Sequence, residues 1–253
     1  MATMDTTRAA PPSETRAETT ADTNRLLAVM PQELRAALRP ALRRVELQRG
    51  DVLGEPDLPL RHLYFPTTAV VSLLAPSEHG PSTELALTGR EGVVGLGLVL
   101  GGIPNVTCAV VHVAGEAWRL PAAEAVAAFA QSEPFRRVVL GFAQALMAQI
   151  SQAVVCNRHH SVDQALCRWL LMVQDRVGAD ELHVTQQLVA DALGVRREAI
   201  TEAAGKLQAS GGIRTSRGMV RIVGREILEA RSCECYAAVT AEFESLLRHF
   251  RSG

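Results

Sequence analysis

The sequence predicts an α+β chain in which an N-terminal antiparallel β domain is joined by one long helix to a helical C-terminal domain. Three observations predict it. Short β-rich runs alternate with Gly, Pro and Asp turns from Val45 to about Leu120, a spacing typical of an antiparallel sandwich or barrel. An apolar pattern of helical period covers Pro134–Cys156. Two short amphipathic segments then meet at Gly194 and precede a β-hairpin pattern.

Composition sets the broad class of the protein. The chain has 253 residues, 47% of them hydrophobic, which is enough for sizeable cores. No apolar run reaches about 18 uncharged residues, so we expect no membrane span and no membrane partner. The N-terminus lacks an apolar secretion segment, and five cysteines are a sparse, odd set. Both features favour a cytoplasmic protein.

The order of segments predicts four parts. Residues 1–24 are rich in Thr, Ala, Pro and Ser, so we expect a disordered tail. A β domain (25–133), a long helix (134–158) and a C-terminal domain (159–253) follow. The predicted strands are Arg44–Gln48, His62–Phe65, Ala69–Ala75, Thr83–Thr88, Val106–Val113 and Glu116–Leu120, and the predicted short helices are Pro31–Leu42 and Pro121–Phe129. Ser161 and Gln164 form a capping-box pattern at the start of another helix.

The long helix carries a heptad stripe that begins at Phe135. Its members recur at alternating steps of four and three residues, the pattern that pairs helices. We therefore expect a homodimer. The predicted pairing residues are Val139, Phe142, Leu146, Gln149 and Ala153. A helix lying on the β domain needs the same stripe, and this alternative stays open.

The segment Val184–Leu207 resembles in outline two helices joined by a turn. Thr185 can cap the first helix, because its hydroxyl can accept from an unpaired amide, and Gly194 can adopt the positive φ of a tight turn. The second helix begins at Arg196 and Arg197, where the helix dipole disfavours cations. A phosphate or a guanine edge would compensate. The segment predicts a helix-turn-helix that binds double-stranded DNA, although a helical hairpin in a core shows the same pattern.

A hairpin pattern follows this segment directly. Gly211–Val223 has two β-like runs around a polar Ser-Arg-Gly tip, as expected for the wing of a winged helix. Between Val184 and Arg225, seven cations and three anions leave a local charge of +4 in a chain of net charge −1. A local cationic excess favours a polyanionic partner. The last helix is predicted from about Arg225 to Phe250.

The order of these parts resembles the Crp/Fnr family of bacterial transcription regulators, which pair a cyclic-nucleotide-binding-type β-roll with a dimerisation helix and a winged helix-turn-helix. The resemblance covers about residues 25–225. It is carried by Arg49-Gly50-Asp51, Tyr64-Phe65-Pro66, Gly89–Gly95, Cys156-Asn157-Arg158 and Thr185–Leu207. It implies a jelly-roll-like β domain and a homodimer that binds a pseudo-palindromic DNA operator. It also implies RNA polymerase as a protein partner.

The resemblance places an Arg-Glu pair for base contacts at Arg197-Glu198. Where many members have a further Arg one turn later, this chain has Glu202. The candidate DNA-binding residues are Thr185, Gln186, Arg196, Arg197, Glu198, Thr201, Lys206 and Arg217. The alternative is a ligand-sensing module that acts through protein contacts and has lost DNA binding, which the acidic Glu198 and Glu202 favour.

The β-roll departs from the family's nucleotide-binding pattern. Gly95 is followed by Leu96 where those members have a ribose-binding Glu, and Val106 precedes Thr107 where they have a phosphate-binding Arg. Without these charge-assisted bonds the site, at Gly95, Leu96, Val106 and Thr107, is predicted not to bind cyclic nucleotides. It could hold an apolar or neutral ligand, or none.

The cysteines and histidines do not favour a metal site, although metal or redox sensing at Cys233 and Cys235 stays an alternative. Cys233 and Cys235 are expected in the final helix, where residues two apart point to opposite sides, so joint ligation is disfavoured. Cys108, Cys156 and Cys167 lie in apolar runs, and His159-His160 is expected in a solvated hinge. No catalytic motif is present. We therefore expect no enzymatic activity and no cofactor.

Overall fold

The first described residue, Asn24, is buried and tightly hydrogen-bonded. A computed structural model describes residues 24–76, 82–103 and 106–251, so the predicted disordered tail lies outside the described residues except for its last member. Asn24 is only 1% exposed. It accepts from the Leu27 amide at 2.9 Å and donates to the carbonyls of Pro66 and Gly92, each at 2.8 Å. The predicted boundary of the tail is therefore wrong at Asn24.

The β domain contains two antiparallel sheets, as the strand spacing predicts. One has the order β1-β7-β3 and the other β2-β6-β4-β5. The strands are β1 (Arg43–Leu47), β2 (Val52–Gly54), β3 (His62–Pro66), β4 (Val70–Ala75), β5 (Thr83–Thr88), β6 (Cys108–Val113) and β7 (Gly115–Pro121). Short helices flank them: α1 (Arg25–Ala28), α2 (Gln32–Leu38), α3 (Gly97–Leu100) and α4 (Ala122–Gln131). The sequence patterns do not predict β2, α1 or α3.

Burial alternates along strand β6. Ala109, Val111 and Val113 are buried, whereas the residues between them are partly exposed. This alternation follows from the two-residue period of a strand. The predicted strand Val106–Val113 is too long at its start, since the observed strand begins at Cys108.

The long helix is α5 (Glu133–His159), and Ser132 caps it by accepting from the Phe135 amide. Most of its predicted dimer stripe is not available to a second copy. Val139, Phe142, Gln149 and Ala153 are buried inside the chain, and Leu146 is half-buried. Phe142 packs on Phe243 with ring centroids 5.9 Å apart. The assignment of the four buried residues to a dimer contact is therefore wrong, because they pack α5 onto its own chain. For the half-buried Leu146 it stays a prediction.

The exposed side of α5 is also apolar. Leu140, Met147 and Val154 recur at seven-residue intervals and are 44%, 62% and 65% exposed. Among the described helices, α5 is the one with the length and hydropathy of a possible membrane span. One side of it lies against β5, α4 and a C-terminal helix of the same chain.

The C-terminal domain has the predicted helix-turn-helix and wing. Its elements are α6 (Val162–Val177), β8 (Glu181–Leu182), α7 (Gln186–Leu193), α8 (Arg197–Ala209), β9 (Ile213–Ser216), β10 (Met219–Ile222), α9 (Arg225–Arg231) and α10 (Glu234–Arg251). The capping box of Ser161 and Gln164 opens α6 as predicted. The predicted single final helix is wrong. The chain breaks at Ser232, whose backbone is extended, and α10 then packs along α5.

Buried polar side chains join the two domains. Arg176 of α6 forms an ion pair with Glu91 at 2.9 Å and donates to the Gln149 side chain of α5 at 2.7 Å and to the Leu87 carbonyl of β5 at 3.3 Å. The indole of Trp169, also on α6, donates to Glu84 at 3.0 Å. These contacts hold the helix-turn-helix domain against both the β domain and the long helix.

Candidate nucleic-acid interface

The turn between α7 and α8 has the local structure that its residue types dictate. The Thr185 hydroxyl accepts from the Leu188 amide at 3.2 Å, which caps α7 as predicted. Gly194 has a φ of +65°, a conformation that costs glycine little. Buried leucine, valine and alanine side chains of α7 pack against Ile200 and Leu207 of α8. This packing turns the polar side of α8 outward.

The first turns of α8 present the predicted reading residues to solvent. Arg196, Arg197, Glu198 and Thr201 are all exposed. The Thr201 hydroxyl donates to the Gln186 side chain at 2.8 Å and also contacts the Arg197 carbonyl at 3.1 Å. The structure therefore brings the polar residues of both helices onto one surface.

A groove of about 510 Å³ runs between the start of α7, the start of α8 and the turn of the wing. Thr185, Gln186, Arg197 and Arg217 all line it. Arg217 reaches it from the β9–β10 turn, in which Gly218 has a φ of +73°. Four of the eight candidate DNA-binding residues thus share one concave surface. Thr185 is also 3.5 Å from the guanidinium of Arg49 in the β domain.

Lys206 differs from the other predicted cations. Its ammonium lies 2.9 Å from Glu202 and 3.4 Å from Asp163. Hydrogen bonds, first to Glu202 and then to Asp163, raise the pKa of Lys206, and the bond to Lys206 lowers the pKa of Glu202. The positive charge of Lys206 is therefore balanced locally, and so is the negative charge of Glu202. The four-residue spacing of the pair on one helix is the sequence signal that predicts this contact.

The remaining cations of this region fall into two groups. Arg221 pairs with Glu181, and Arg225 pairs with Asp175 at 2.8 Å. Four others have no carboxylate within 4.0 Å among residues 24–76, 82–103 and 106–251; they are Arg196, Arg197, Arg214 and Arg217. All four are exposed. The free positive charge is thus confined to the start of α8 and the wing.

The β domain contains a separate cavity of about 360 Å³. Gly95, Leu96 and Thr107 line it, as predicted, but Val106 does not and is 77% exposed. Its assignment to the pocket is therefore wrong. Among the described residues, those lining the cavity include no charged side chain, and their polar side chains are Ser72, Thr88 and Thr107. The charge needed to hold an anionic ligand is missing from this wall.

One wall of the cavity connects to the helix-turn-helix domain. The Ser72 hydroxyl donates to the buried carboxylate of Glu84, which also accepts from Trp169 of α6. His112 lies 3.4 Å from the same carboxylate. Leu146 of α5 lines the cavity from the other side. A group bound in the cavity would therefore contact side chains that hold both α5 and α6.

The cysteines are placed differently from the prediction. Cys233 lies before α10, in the break after α9, so the helical spacing that separates it from Cys235 does not apply. Both thiols are buried and meet Cys156 and His160 at the end of α5. His160 is only partly exposed, which corrects the expected solvated hinge, whereas His159 is exposed. Sequence spacing could not reveal this meeting, because it depends on how α10 packs along α5.

The helix-turn-helix region matches a known family. Residues 164–231 match the model of the Crp-like helix-turn-helix domain. A comparison with curated proteins finds no match to this chain.

Solved structures with the same architecture cover about three quarters or more of this chain. A Crp/Fnr regulator from Eubacterium rectale superposes with a TM-score of 0.63 at 18% identity, covering 81% of this chain and 96% of its own. FixK2 from Bradyrhizobium japonicum gives a TM-score of 0.65 at 13% identity, covering 76% and 98%. The c-di-GMP-responsive global regulator CLP from Xanthomonas campestris gives 0.62 at 17% identity, covering 77% and 100%. Residues 164–231 are therefore a Crp-like helix-turn-helix domain, and the chain as a whole has the fold of Crp/Fnr regulators.

Proposed function

We propose that this protein is a cytoplasmic, homodimeric transcription regulator that binds double-stranded DNA through α8 and the wing and has RNA polymerase as a partner. The observation that carries the proposal is the groove shared by Arg197 and Arg217. It joins exposed guanidinium groups, free of carboxylate partners in the described part of the chain, to the start of a helix. Free cations at such a surface are the electrostatic requirement for phosphate contacts.

The exposed residues at the start of α8 have a chemistry suited to DNA. In a major groove, Arg197 can donate to the two acceptors of guanine, and Glu198 can accept from the amino group of cytosine. Arg196 at the helix start and Arg217 at the wing tip can contact phosphates, which position the protein without reading sequence. Lys206 is a weaker candidate, because Glu202 and Asp163 already hold its ammonium.

Two copies of the chain would pair through the exposed stripes of their α5 helices. Leu140, Met147 and Val154 lie on one side of a helix of 27 residues, and a seven-residue repeat is the spacing at which two helices supercoil around each other. The opposite stripe packs α5 onto its own chain. A pair of α5 helices would set the spacing of two α8 helices, which read half-sites about 34 Å apart.

The cavity in the β domain supplies a route for regulation. Its wall residues Ser72 and Leu146 connect to α6 and α5, so a bound ligand would shift both the pairing helix and the reading domain. The uncharged wall favours an apolar or neutral ligand over a cyclic nucleotide.

Substitution of the two groove arginines should affect binding differently. Arg197→Ala is expected to weaken binding to the preferred site by about 1–3 kcal/mol and to relax the preference at one base pair. Arg217→Ala should weaken binding to all sequences alike and reduce the salt dependence by about one phosphate contact. Fluorescence anisotropy titrations at several salt concentrations measure both effects.

Arg221→Ala is the matched control, since this wing arginine is already paired with Glu181, and it should bind DNA as the unchanged protein does. If Arg197→Ala and Arg217→Ala also bind DNA unchanged, α8 does not read DNA. The regulator acting through protein contacts, which the exposed carboxylate of Glu198 favours, would then be the better account.

A charge in the exposed stripe should separate the two copies. Met147→Asp places an unpaired carboxylate at the centre of the proposed contact, and burial of such a charge is strongly unfavourable. We expect monomers at micromolar concentration by light scattering, and loss of operator binding. Val126→Asp is the control, because Val126 is an exposed apolar residue of α4, outside the stripe. A dimeric Met147→Asp protein, or a monomeric unchanged protein, would contradict the proposed contact.

Cyclic nucleotides should not bind at physiological concentrations. Each missing charge-assisted contact costs on the order of 1.5–3 kcal/mol. The described lining of the cavity has neither a carboxylate for the ribose nor a guanidinium for the phosphate, and the loss of both takes micromolar binding to millimolar or weaker. Isothermal titration calorimetry with cyclic AMP and cyclic GMP measures this. A micromolar dissociation constant for either would overturn the prediction.

A further inference from the structure

Four potential metal ligands meet where α5 ends and α10 begins. Cys156 lies in the last turn of α5 and His160 directly follows the helix, whereas Cys233 and Cys235 lie on either side of the first residue of α10. Their ligand atoms all lie within 4.8 Å of one another. The three cysteines are buried, and His160 is partly buried. We call these four residues the cysteine–histidine cluster.

Two distances in the cluster are close to those of a tetrahedral metal site. The sulfurs of Cys156 and Cys233 are 3.7 Å apart, and the sulfur of Cys235 is 3.5 Å from Nδ1 of His160. Zinc bonds of about 2.3 Å to sulfur and about 2.0–2.1 Å to nitrogen, in a tetrahedron, separate two sulfurs by about 3.8 Å and a sulfur from a nitrogen by about 3.6 Å. One ion could therefore contact the cluster without large movement of the chain.

The ring of His160 is already oriented for such a role. Its Nδ1 faces Cys235, while its Nε2 lies 3.1 Å from the carboxylate of Glu234. A metal-ligating histidine typically donates its other ring nitrogen to a carboxylate or carbonyl, which fixes the tautomer and the ring. Glu234 occupies the position of that second partner.

A buried cation faces the cluster. Arg168 of α6 is 6% exposed, and among the described residues its Nε has no hydrogen-bond partner. The guanidinium lies close enough to Cys156 and Cys235 to act on both thiols electrostatically. Three thiolates, a divalent ion and this guanidinium would have no net charge, which makes their common burial tolerable.

We propose that Cys156, His160, Cys233 and Cys235 bind a structural zinc ion. Three thiolates and one imidazole form a closed four-ligand set, which is typical of structural rather than catalytic zinc. The ion would join the end of α5 to the start of α10, next to Ser161, where α6 begins. It would hold the hinge between the long helix and the helix-turn-helix domain. This proposal does not depend on the proposed DNA binding.

The test uses the full-length protein, purified under reducing conditions without chelators. Plasma mass spectrometry should find one zinc per chain, and the double variant Cys233→Ser, Cys235→Ser should contain less than about a tenth of an equivalent. Cys167→Ser is the matched control, since Cys167 is a buried cysteine of α6 outside the cluster, and it should retain the metal. Cobalt added to metal-free protein should give the intense visible bands of a tetrahedral thiolate site.

A milder variant keeps the test decisive if the double variant does not fold. Glu234→Gln leaves all four ligands in place and should weaken zinc affinity about 10–100-fold, as loss of a partner of the ligating histidine does. Competition with a chromophoric chelator measures this affinity. Protein that binds no zinc even after addition of the ion, iron with acid-labile sulfide in its place, or a Cys156–Cys233 disulfide found by thiol titration would each overturn the proposal.

Discussion

The arrangement of the domains depends on the contacts that the guanidinium of Arg176 makes. This group is buried, and it holds Glu91 of the β domain, Gln149 of α5 and the carbonyl of Leu87 at the same time. Gly89 lies two residues before Glu91, and a side chain at position 89 would collide with the side chain of Arg176. Removing either charge of a buried pair typically costs about 3–5 kcal/mol, because the other charge stays buried. The pair therefore specifies one position of α6 against the rest of the chain.

The same junction connects the β domain to the helix-turn-helix domain. Trp169 and Arg176 lie on α6, about two turns apart, and each contacts a different strand or loop of the β domain. The wall of the cavity reaches Glu84, the partner of Trp169, through Ser72. A ligand that moved this wall would change contacts on α6 and on α5 together, which is the requirement for coupling between two sites. The cysteine–histidine cluster lies at the C-terminal end of α5, about two turns beyond Gln149, where it would hold the hinge.

Local chemistry was predictable from the sequence, and long-range packing was not. The cap at Thr185, the positive φ of Gly194 and the capping box of Ser161 depend on neighbouring residues alone, and the structure confirms them. Strand spacing likewise predicts most of the two sheets. The heptad stripe of α5 predicts either a second copy or the same chain as its partner, because periodicity shows that a face is buried but not what buries it. The cluster could not be predicted from the sequence for a related reason. Its two halves are about 75 residues apart in the chain and meet only because α10 returns along α5.

The central claim is that two copies of this chain, paired through α5, present two α8 helices to DNA. Selection of genomic or random fragments by the purified protein, followed by sequencing of the retained fragments, tests it most directly. The account predicts an enriched inverted repeat whose half-sites are centred about 10 base pairs apart, one turn of the double helix. Enrichment of a single unrepeated site, or no enrichment over non-specific DNA at moderate salt, would contradict it.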